Sequence, residues 1–416
     1  MGRNGHETRT RVVVTGMGAV SSLGWGVAPL WTGLRVGRTG IGPFTRFDDR
    51  RQRTHVAGEV PPGPPASFRR PSGWDRLAFS DRFAVFAACE AVGQAGLVRP
   101  LDSLAAGVFF GTSTAGLLES ERFLESLWRD DGDRRSPRLS LMASHHLNAP
   151  GDAVARHMGV SGPVHTISSA CASAALALDA ALRALRSGDV DCALAGGSDS
   201  LCTMTYAGFN SLRAVDEKPC RPFREGRAGM SLGEGSALLV LERLDAALAR
   251  GAEPLAELLG AGASCDASHM TAPQPEGLGA AAALLRGLED AGIEPESVGF
   301  INAHGTGTPL NDVAEHAAFV KAFGARAARV PVSATKSIVG HLLGASGALE
   351  AVATVLCLQA GAAHPAAGGG TVDPEAAVDL VLGEARPLTP GSPAVSTSFG
   401  FGGANSALVI APWSSP

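Results

Sequence analysis

The sequence predicts an α/β protein whose strands are buried between helices. The chain has 416 residues, 45% of them hydrophobic and 18% charged, so it can bury a large core. Short β-branched runs alternate with stretches rich in alanine and leucine, and the runs lack polar alternation, which favours largely parallel strands covered on both faces. The pattern occurs twice, which predicts two similar halves, 1–252 and 253–416.

The clearest element of the first half is a helix over 173–187, where apolar residues recur at helical spacing among strong helix formers. A first strand is predicted over 11–14, ended by Thr15 and Gly16. Further buried strands are predicted over 107–110 and 191–194.

The second half repeats this order of elements. After a helix over 241–251 that ends the first half, the pattern predicts strands over 256–264 and 298–302, a helix from about 312, a strand over 331–333, a helix after Gly340, and two strands within 394–409. The tracts 61–65 and 129–138 are predicted surface loops.

Composition excludes several classes of protein. A net charge of -5 argues against a nucleic-acid-binding protein, because no excess of lysine and arginine is present to neutralise phosphates. No window of about 20 residues is apolar without charges, glycine or proline, so no membrane span is predicted. The first ten residues lack the apolar core of a secretory signal, and we expect a cytoplasmic protein. The seven scattered cysteines contain no C-x-x-C pair, which argues against disulfides or a zinc knuckle.

Cys171 lies at the start of the predicted helix 173–187, directly after small residues that can form a sharp turn. The partial positive charge of a helix N-terminus favours a thiolate and lowers the pKa of a cysteine. A backbone N–H at this position can also face a developing oxyanion. The alternative is a buried cysteine that only packs among alanines.

Two histidines lie in glycine-rich turns. His304, in the segment Asn-Ala-His-Gly-Thr-Gly-Thr, follows a predicted strand, at the end where α/β folds gather functional groups. His341, in Thr-Lys-Ser-Ile-Val-Gly-His, precedes a predicted helix. Either histidine could be an ordinary hydrogen-bonded loop residue.

A cysteine with two histidines is compatible with several chemistries. In a Cys-His protease the thiolate pairs with one imidazole. In a carbon–carbon condensing enzyme, two neutral imidazoles can instead donate hydrogen bonds to the enolate formed when carbon dioxide leaves. A zinc site of Cys171, His304 and His341 is a third option, although the helix-start cysteine lacks paired-ligand spacing. Spacing alone leaves these alternatives open.

Five blocks, in this order, carry a resemblance to a known family: VVVTGMGAVSSLG, SSACASA, NAHGTGTPLND, TKSIVGHLLGASGALE and SFGFGGANSALV. With them the chain resembles the β-ketoacyl-acyl carrier protein synthases of the thiolase superfamily, of the elongating type found in fatty-acid and type II polyketide synthesis. The resemblance implies a thiolase-like fold, in which two similar halves form a layered α-β-α-β-α sandwich. It also implies a 3-oxoacyl-acyl carrier protein synthase, an acyltransferase that performs a decarboxylative Claisen condensation.

The resemblance also implies roles for individual residues. Cys171 is similar to the nucleophile that carries the acyl chain, and His304 and His341 to the histidines that promote malonyl decarboxylation. Lys336 is similar to a lysine that organises the site electrostatically, with carboxylate partners expected at Asp312, Glu315 and Glu350. The remaining expected roles are a gating phenylalanine that shares the oxyanion hole with Cys171 (Phe401), hydroxyls that bind the phosphopantetheine arm (Thr306, Thr308, Thr271), and a residue of the acyl pocket floor (Thr114).

No metal or redox cofactor is implied, because the phosphopantetheine arrives on the carrier protein as a substrate. The expected partners are an acyl carrier protein and a second subunit, in a homodimer or in a heterodimer with a subunit like a chain-length factor. Candidate carrier-binding residues are basic, since carrier proteins are acidic: Arg53, Arg69, Arg70, Arg134 and Arg135.

One segment departs from the family pattern. Ala228 and Met230 stand where the family usually has Asp and Phe, in a segment near the active-site entrance of relatives. This departure favours a specialised synthase. We therefore prefer polyketide or polyene synthesis to fatty-acid synthesis as its pathway. One alternative is a non-catalytic partner subunit like a chain-length factor, but Cys171, His304 and His341 are all present, which argues against it. The other is a thiolase-like or acetyl-CoA-primed enzyme, and the combination of Lys336 with two histidines argues against that.

Overall fold

The computed structural model of the chain describes residues 9–128 and 139–414. The predicted loop 129–138 therefore lies outside the described residues. The strands are β1 (Val12–Ser21), β2 (Gly24–Trp25), β3 (Ala106–Gly111), β4 (Val164–Ile167), β5 (Cys192–Asp199), β6 (Gly235–Arg243), β7 (Ala256–Cys265), β8 (Phe300–Asn302), β9 (Pro331–Ser333), β10 (Ala362–Ala363), β11 (Asp379–Leu380), β12 (Arg386–Pro387), β13 (Ala394–Phe399) and β14 (Ala404–Pro412). The helices are α1 (Val27–Leu34), α2 (Phe79–Gln94), α3 (Leu117–Trp128), α4 (Ala149–Met158), α5 (Ser173–Ser187), α6 (Thr203–Ser211), α7 (Leu244–Ala249), α8 (Leu278–Ala291), α9 (Pro309–Phe323), α10 (Lys336–Val339) and α11 (Ser346–Ala360).

The main sheet has a mirrored strand order. It runs β11-β9-β8-β13-β14-β7-β1-β6-β5-β3-β4, with β2 paired to β1. On one side of the β7–β1 junction the order outward is β1-β6-β5-β3-β4, and on the other it is β7-β14-β13-β8-β9, with β11 added at the edge. Each pair of neighbouring strands in one order has the same parallel or antiparallel sense as the corresponding pair in the other. The predicted similarity of the two halves is thus present in the topology, whereas the exact boundary at 252 stays a prediction.

The helices form three layers around this sheet. Helices α2 and α4 pack on the outer face of the β1 half, and α8, with α9 behind it, packs on the outer face of the β7 half. Helices α5 and α11 contact each other and strands of both halves, so they form the central layer. The two halves of the sheet are thus the two β layers, one on each side of α5 and α11, and the layer order is the α-β-α-β-α order expected from the resemblance.

Helix α11 is buried on all sides, as a helix in a central layer must be. The segment Leu343–Ala360 that contains it is long and apolar enough to span a membrane, with a mean hydropathy of 1.4, but 83% of it is buried inside the protein. Gly344, Gly347 and Glu350 interrupt this window. It is a core helix of the folded chain, and the cytoplasmic location stays a prediction.

Two sequence predictions about strands were wrong. The first strand does not end at Thr15 and Gly16 but continues to Ser21 through an irregularity at that point. Gly16 lies against α2, where an added Cβ would come within 2.1 Å of the Ala91 carbonyl oxygen, so the glycine permits packing and does not break the strand. The central strands are antiparallel and only the outer ones parallel. Their unbroken apolar runs reflect burial on both faces, which any pairing sense allows.

Candidate active site

A cavity of about 270 Å³ brings together the residues that carried the functional prediction. Cys171, His304 and His341 all line it, although they come from three turns far apart in the chain. Each of these turns lies at the end of a strand or the start of a helix next to the central layer. Within the described residues, no group of three or more His, Cys, Asp or Glu side chains is arranged to hold a metal ion.

Cys171 lies two residues before α5, in a turn that follows β4. The preceding residue, Ala170, has a left-handed backbone conformation with φ of 45°, which is unfavourable for a residue with a side chain. This turn leaves Cys171 6% exposed at the cavity, where the backbone N–H of Phe401 donates a hydrogen bond to the thiol.

The expected lowering of the Cys171 pKa was wrong. Burial raises the pKa of the thiol to about 11, and the positive charge of Lys336 and the N–H of Phe401 oppose this only in part. Desolvation exceeds these two opposing effects because the sulfur is almost entirely enclosed. Cys171 is therefore a thiol at neutral pH, and its proton must leave when it reacts.

Hydrogen bonds to both the backbone and the imidazole ring hold His304 in place. Its backbone N–H donates to Glu315 Oε1 at 2.8 Å and to Thr397 Oγ1 at 2.9 Å. Lys336 Nζ lies 3.0 Å from the ring Nδ1. Because an ammonium group only donates, Nδ1 accepts this hydrogen bond, and the proton of the neutral ring is on Nε2. Burial and the charge of Lys336 hold the pKa of His304 well below its usual range.

His341 has the same tautomer for a different reason. The backbone N–H of Leu343 donates to its Nδ1 at 3.2 Å, and the Ser346 hydroxyl lies 2.7 Å from the same atom. The ring proton is therefore on Nε2, which has no hydrogen-bond partner among the described residues. Burial, aided by the charge of Lys336, lowers the pKa of His341 far below its usual range. The two imidazole rings lie nearly perpendicular, with centroids 5.4 Å apart.

Lys336 is buried and fully hydrogen-bonded. Its three ammonium protons match three acceptors: His304 Nδ1, the His304 carbonyl oxygen at 2.7 Å, and a carboxylate oxygen of Glu350. Burial raises the pKa of Glu350 to about 7, although Lys336 opposes the rise. Glu350 is thus the expected carboxylate partner.

The other two expected partners of Lys336 were wrong. Asp312 forms its ion pair with Arg227, at 3.2 Å, and accepts the backbone N–H of Phe223 at 2.7 Å. Glu315 accepts the N–H groups of His304 and Gly305, each at 2.8 Å. Both carboxylates lie on α9 and hold the turn that carries His304, so they support the site through the backbone and not through the lysine. Sequence analysis did not single out Arg227, which lies 85 residues before Asp312.

The predicted arm-binding threonines line the cavity. The hydroxyls of Thr306 and Thr308 lie 2.9 Å apart, and Thr271 lies on the 265–275 loop near the opening. Thr114 does not line the cavity, contrary to prediction. Its hydroxyl and backbone N–H both bind Asp199, at 3.1 and 2.8 Å, so the residue is turned into the interior.

The residues that depart from the family pattern lie where they were expected. Ala228 and Met230 both line the cavity. The ring of Phe401 also lines it and contacts Phe209, with centroids 5.5 Å apart. Sequence analysis missed four other polar residues of this lining, Arg213, Asp266, Asn311 and Asn405. The side chains of Asp266 and Asn405 bond each other at 2.7 Å.

Three of the five arginines that we predict to bind the carrier protein lie within the described residues, and their role stays a prediction. Arg53, Arg69 and Arg70 are exposed, but Arg53 is paired with Glu217 at 3.2 Å, and Arg70 lies 3.9 Å from an aspartate. Arg134 and Arg135 lie outside the described residues.

Comparison with known proteins agrees with these features. The beta-ketoacyl synthase N-terminal domain model matches residues 9–247, and the C-terminal domain model matches residues 255–369. The chain is 41% identical over 416 residues to 3-oxoacyl-[acyl-carrier-protein] synthase 2 of Synechocystis sp., covering 97% of this chain and 98% of that protein. It is 38% identical over 413 residues to the synthase of the same name from Staphylococcus aureus, covering 96% and 98%.

Solved structures give the same result. The structure described as the ishigamide ketosynthase/chain length factor matches with a TM-score of 0.91 and 36% identity, over 98% of this chain and all of that one. A type II polyketide ketosynthase, described in complex with its acyl carrier protein and bound to the hexaketide, matches with a TM-score of 0.88 and 30% identity over the same shares. These neighbours are ketosynthases of the thiolase-like fold. This chain therefore belongs to the β-ketoacyl synthase family of acyltransferases.

Proposed function

We propose that this chain elongates an acyl chain held on Cys171 by decarboxylative condensation with malonyl carrier protein, in type II polyketide or polyene synthesis. One observation carries the chemistry: both histidines accept hydrogen bonds at Nδ1 and so keep a proton on Nε2, and both line the same cavity as the thiol. Two neutral donors are suited to an enolate oxygen, which needs hydrogen bonds as its charge develops.

In the first half-reaction, Cys171 Sγ attacks the thioester carbonyl of an acyl carrier protein. The carbonyl oxygen becomes an oxyanion that the backbone N–H groups of Cys171 and Phe401 receive. The carbon–sulfur bond to pantetheine then breaks, and the pantetheine thiol leaves with the proton that Cys171 gives up. The product is an acyl thioester on the enzyme.

In the second half-reaction, malonyl carrier protein occupies the cavity with its arm along Thr306, Thr308 and Thr271. The bond to the carboxylate breaks, carbon dioxide leaves, and the electron pair forms an enolate whose oxygen accepts hydrogen bonds from His304 and His341. The enolate carbon attacks the acyl group, and Cys171 leaves as a thiolate and takes up a proton. The carrier then holds a 3-oxoacyl chain that is two carbons longer.

The proposed cycle uses no metal or redox cofactor, because the loss of carbon dioxide supplies both the carbanion and the driving force. Lys336 keeps Nδ1 of His304 engaged, and so keeps the donor proton on Nε2. Glu315 and Asp312 hold the turn in which His304 lies.

We favour polyketide over fatty-acid synthesis for two reasons. Ala228 and Met230 replace an acid and a phenylalanine of the usual pattern at the cavity wall, and small or flexible residues there leave room for a longer or rigid chain. Two neighbours, from ishigamide synthesis and from Xenorhabdus doucetiae, are ketosynthases described with a chain length factor, the latter with a TM-score of 0.84 and 30% identity. The proposed partners are therefore an acyl carrier protein and a second subunit, either a copy of this chain or a chain-length-factor-like protein.

The test uses the purified chain with hexanoyl and malonyl thioesters of a bacterial acyl carrier protein. Intact-mass spectrometry is expected to find the acyl group on Cys171, and product analysis a 3-oxoacyl carrier protein. A Cys171→Ala variant is the matched control and should give neither. Failure of the wild-type chain, alone and with a chain length factor, to form either species would overturn the proposal in favour of a non-catalytic subunit.

A further inference from the structure

Asp199, at the end of β5, is a buried carboxylate outside the cavity. Its relative exposure is 0%, and within the described part of the chain its partners are hydrogen-bond donors and not cations. The donors come from two loops: the Thr112 hydroxyl at 2.7 Å, the N–H groups of Ser113 at 2.9 Å, Thr114 at 2.8 Å and Ala115 at 3.0 Å, and the N–H of Gly344 at 2.7 Å.

The first loop, 112–115, reaches the turn of Cys171. The hydroxyl of Ser113 donates to the Ala170 carbonyl oxygen at 3.1 Å. Ala170 has φ of 45° and directly precedes Cys171. Its conformation determines where the next residue points, so Asp199 acts on Cys171 through one loop and one hydrogen bond.

The second loop carries His341. Leu343, with φ of 52°, donates its N–H to Nδ1 of His341, and the following residue, Gly344, donates to Asp199. Gly344 lies so close to the first loop that an added Cβ would come within 2.6 Å of the Thr112 carbonyl carbon. The contact that orients the imidazole is therefore one residue from the carboxylate.

The positions of Cys171 and His341 thus each depend on a left-handed, non-glycine residue, Ala170 and Leu343 respectively. The loops that hold these two residues are both hydrogen-bonded to Asp199. Such conformations persist only where the surrounding structure fixes them. A buried carboxylate is also costly unless several donors compensate it, and here all of them are groups of these two loops.

We propose that Asp199 is a positioning residue that holds Cys171 and His341 in one fixed arrangement for the two half-reactions. This inference rests on the proposed function. Asp199 touches no substrate; it acts through Ser113 and Ala170 on one side and through Gly344 and Leu343 on the other.

The test is Asp199→Asn, which preserves shape but turns an amide NH₂ toward N–H donors in place of one acceptor oxygen. Displacement of reacting groups by about 1 Å can cost about 100-fold in rate, so acyl transfer to Cys171 and carbon dioxide release from malonyl carrier protein should both slow by about 10- to 100-fold per folded site. Ser113→Ala removes only the first connection, and Ser173 still donates to the Ala170 carbonyl at 2.6 Å. It should slow acyl transfer by about three- to tenfold and leave carbon dioxide release within about twofold.

The matched control is Glu90→Gln, because Glu90 also accepts two backbone N–H groups, those of Ala19 at 3.0 Å and Val27 at 2.8 Å, far from the cavity. It should lower thermal stability but keep both rates per folded site. Rates of Asp199→Asn within about twofold of that control would overturn the inference. If the wild-type chain itself is inactive, the proposed function fails, and crystal structures of the wild type and of Asp199→Asn test the inference instead. Left-handed conformations of Ala170 and Leu343 in both structures would overturn the inference. Loss of these conformations in the variant would support it.

Discussion

The ion pair between Lys336 and Glu350 allows a quantitative test of how the site is held together. The two side chains are 1% and 2% exposed, and the lysine has three acceptors for three protons. Glu350→Gln leaves a buried ammonium without its counter-charge, and breaking a buried pair in this way costs about 3–5 kcal/mol of unfolding free energy. Lys336→Met should cost less, because Glu350, whose pKa burial raises to about 7, can take up a proton and become neutral.

The double variant separates the pair from its surroundings. With both charges removed, the loss should be smaller than the sum of the single losses, with a coupling energy of about 2–3 kcal/mol. The assay is equilibrium urea unfolding at pH 7.5 followed by tryptophan fluorescence. Additive single losses would refute the reasoning that the two residues act as one buried unit. The exposed pair Arg50 and Asp48 is the control cycle and should show no measurable coupling.

Three further perturbations test the cavity and its surroundings. His341→Ala removes one of two Nε2–H donors and should slow carbon dioxide release by about 10²–10³-fold while acylation of Cys171, followed by intact mass, stays within about threefold; equal losses in both steps would contradict the assigned donor role. Burial lowers the pKa of His364 from 6.5 to about 4, so the unfolded chain binds a proton there that the native chain does not, and stability falls as the pH drops through this range. His364→Gln should remove about 1.2 kcal/mol per pH unit from that slope in urea unfolding between pH 6 and 5, and parallel curves would exclude this origin. Met230→Phe narrows the cavity and should lower kcat/KM for a twelve-carbon acyl thioester by about tenfold relative to a six-carbon one; an unchanged ratio would remove Met230 from chain selection.

Features set by local chemistry could be predicted from the sequence. Helix α5 has the predicted bounds, because strong helix formers fill 173–187 and Gly188 ends the helix in a left-handed conformation. Cys171, His304 and His341 meet because each lies in a turn at the end of a strand or the start of a helix, and such turns gather at one edge of an α/β sheet.

Features set by distant neighbours could not be predicted. The partner of Asp312 is an arginine from another loop, and Glu315 binds backbone amides whose orientation no residue pattern reveals. The pKa of Cys171 depends on how deeply the thiol is enclosed, which is a property of the assembled core. Thr114 faces inward because Asp199, 85 positions later, lies behind it.

The mirrored strand order has a consequence for how the site can be divided. Helices α5 and α11 occupy corresponding places in the two halves, and each is preceded, three positions before its first residue, by a left-handed non-glycine residue, Ala170 or Leu343. A repeated unit therefore supplies the same turn twice, once beside Cys171 and once beside His341. Separately produced halves should accordingly be inert alone and complement each other only when the central helices meet.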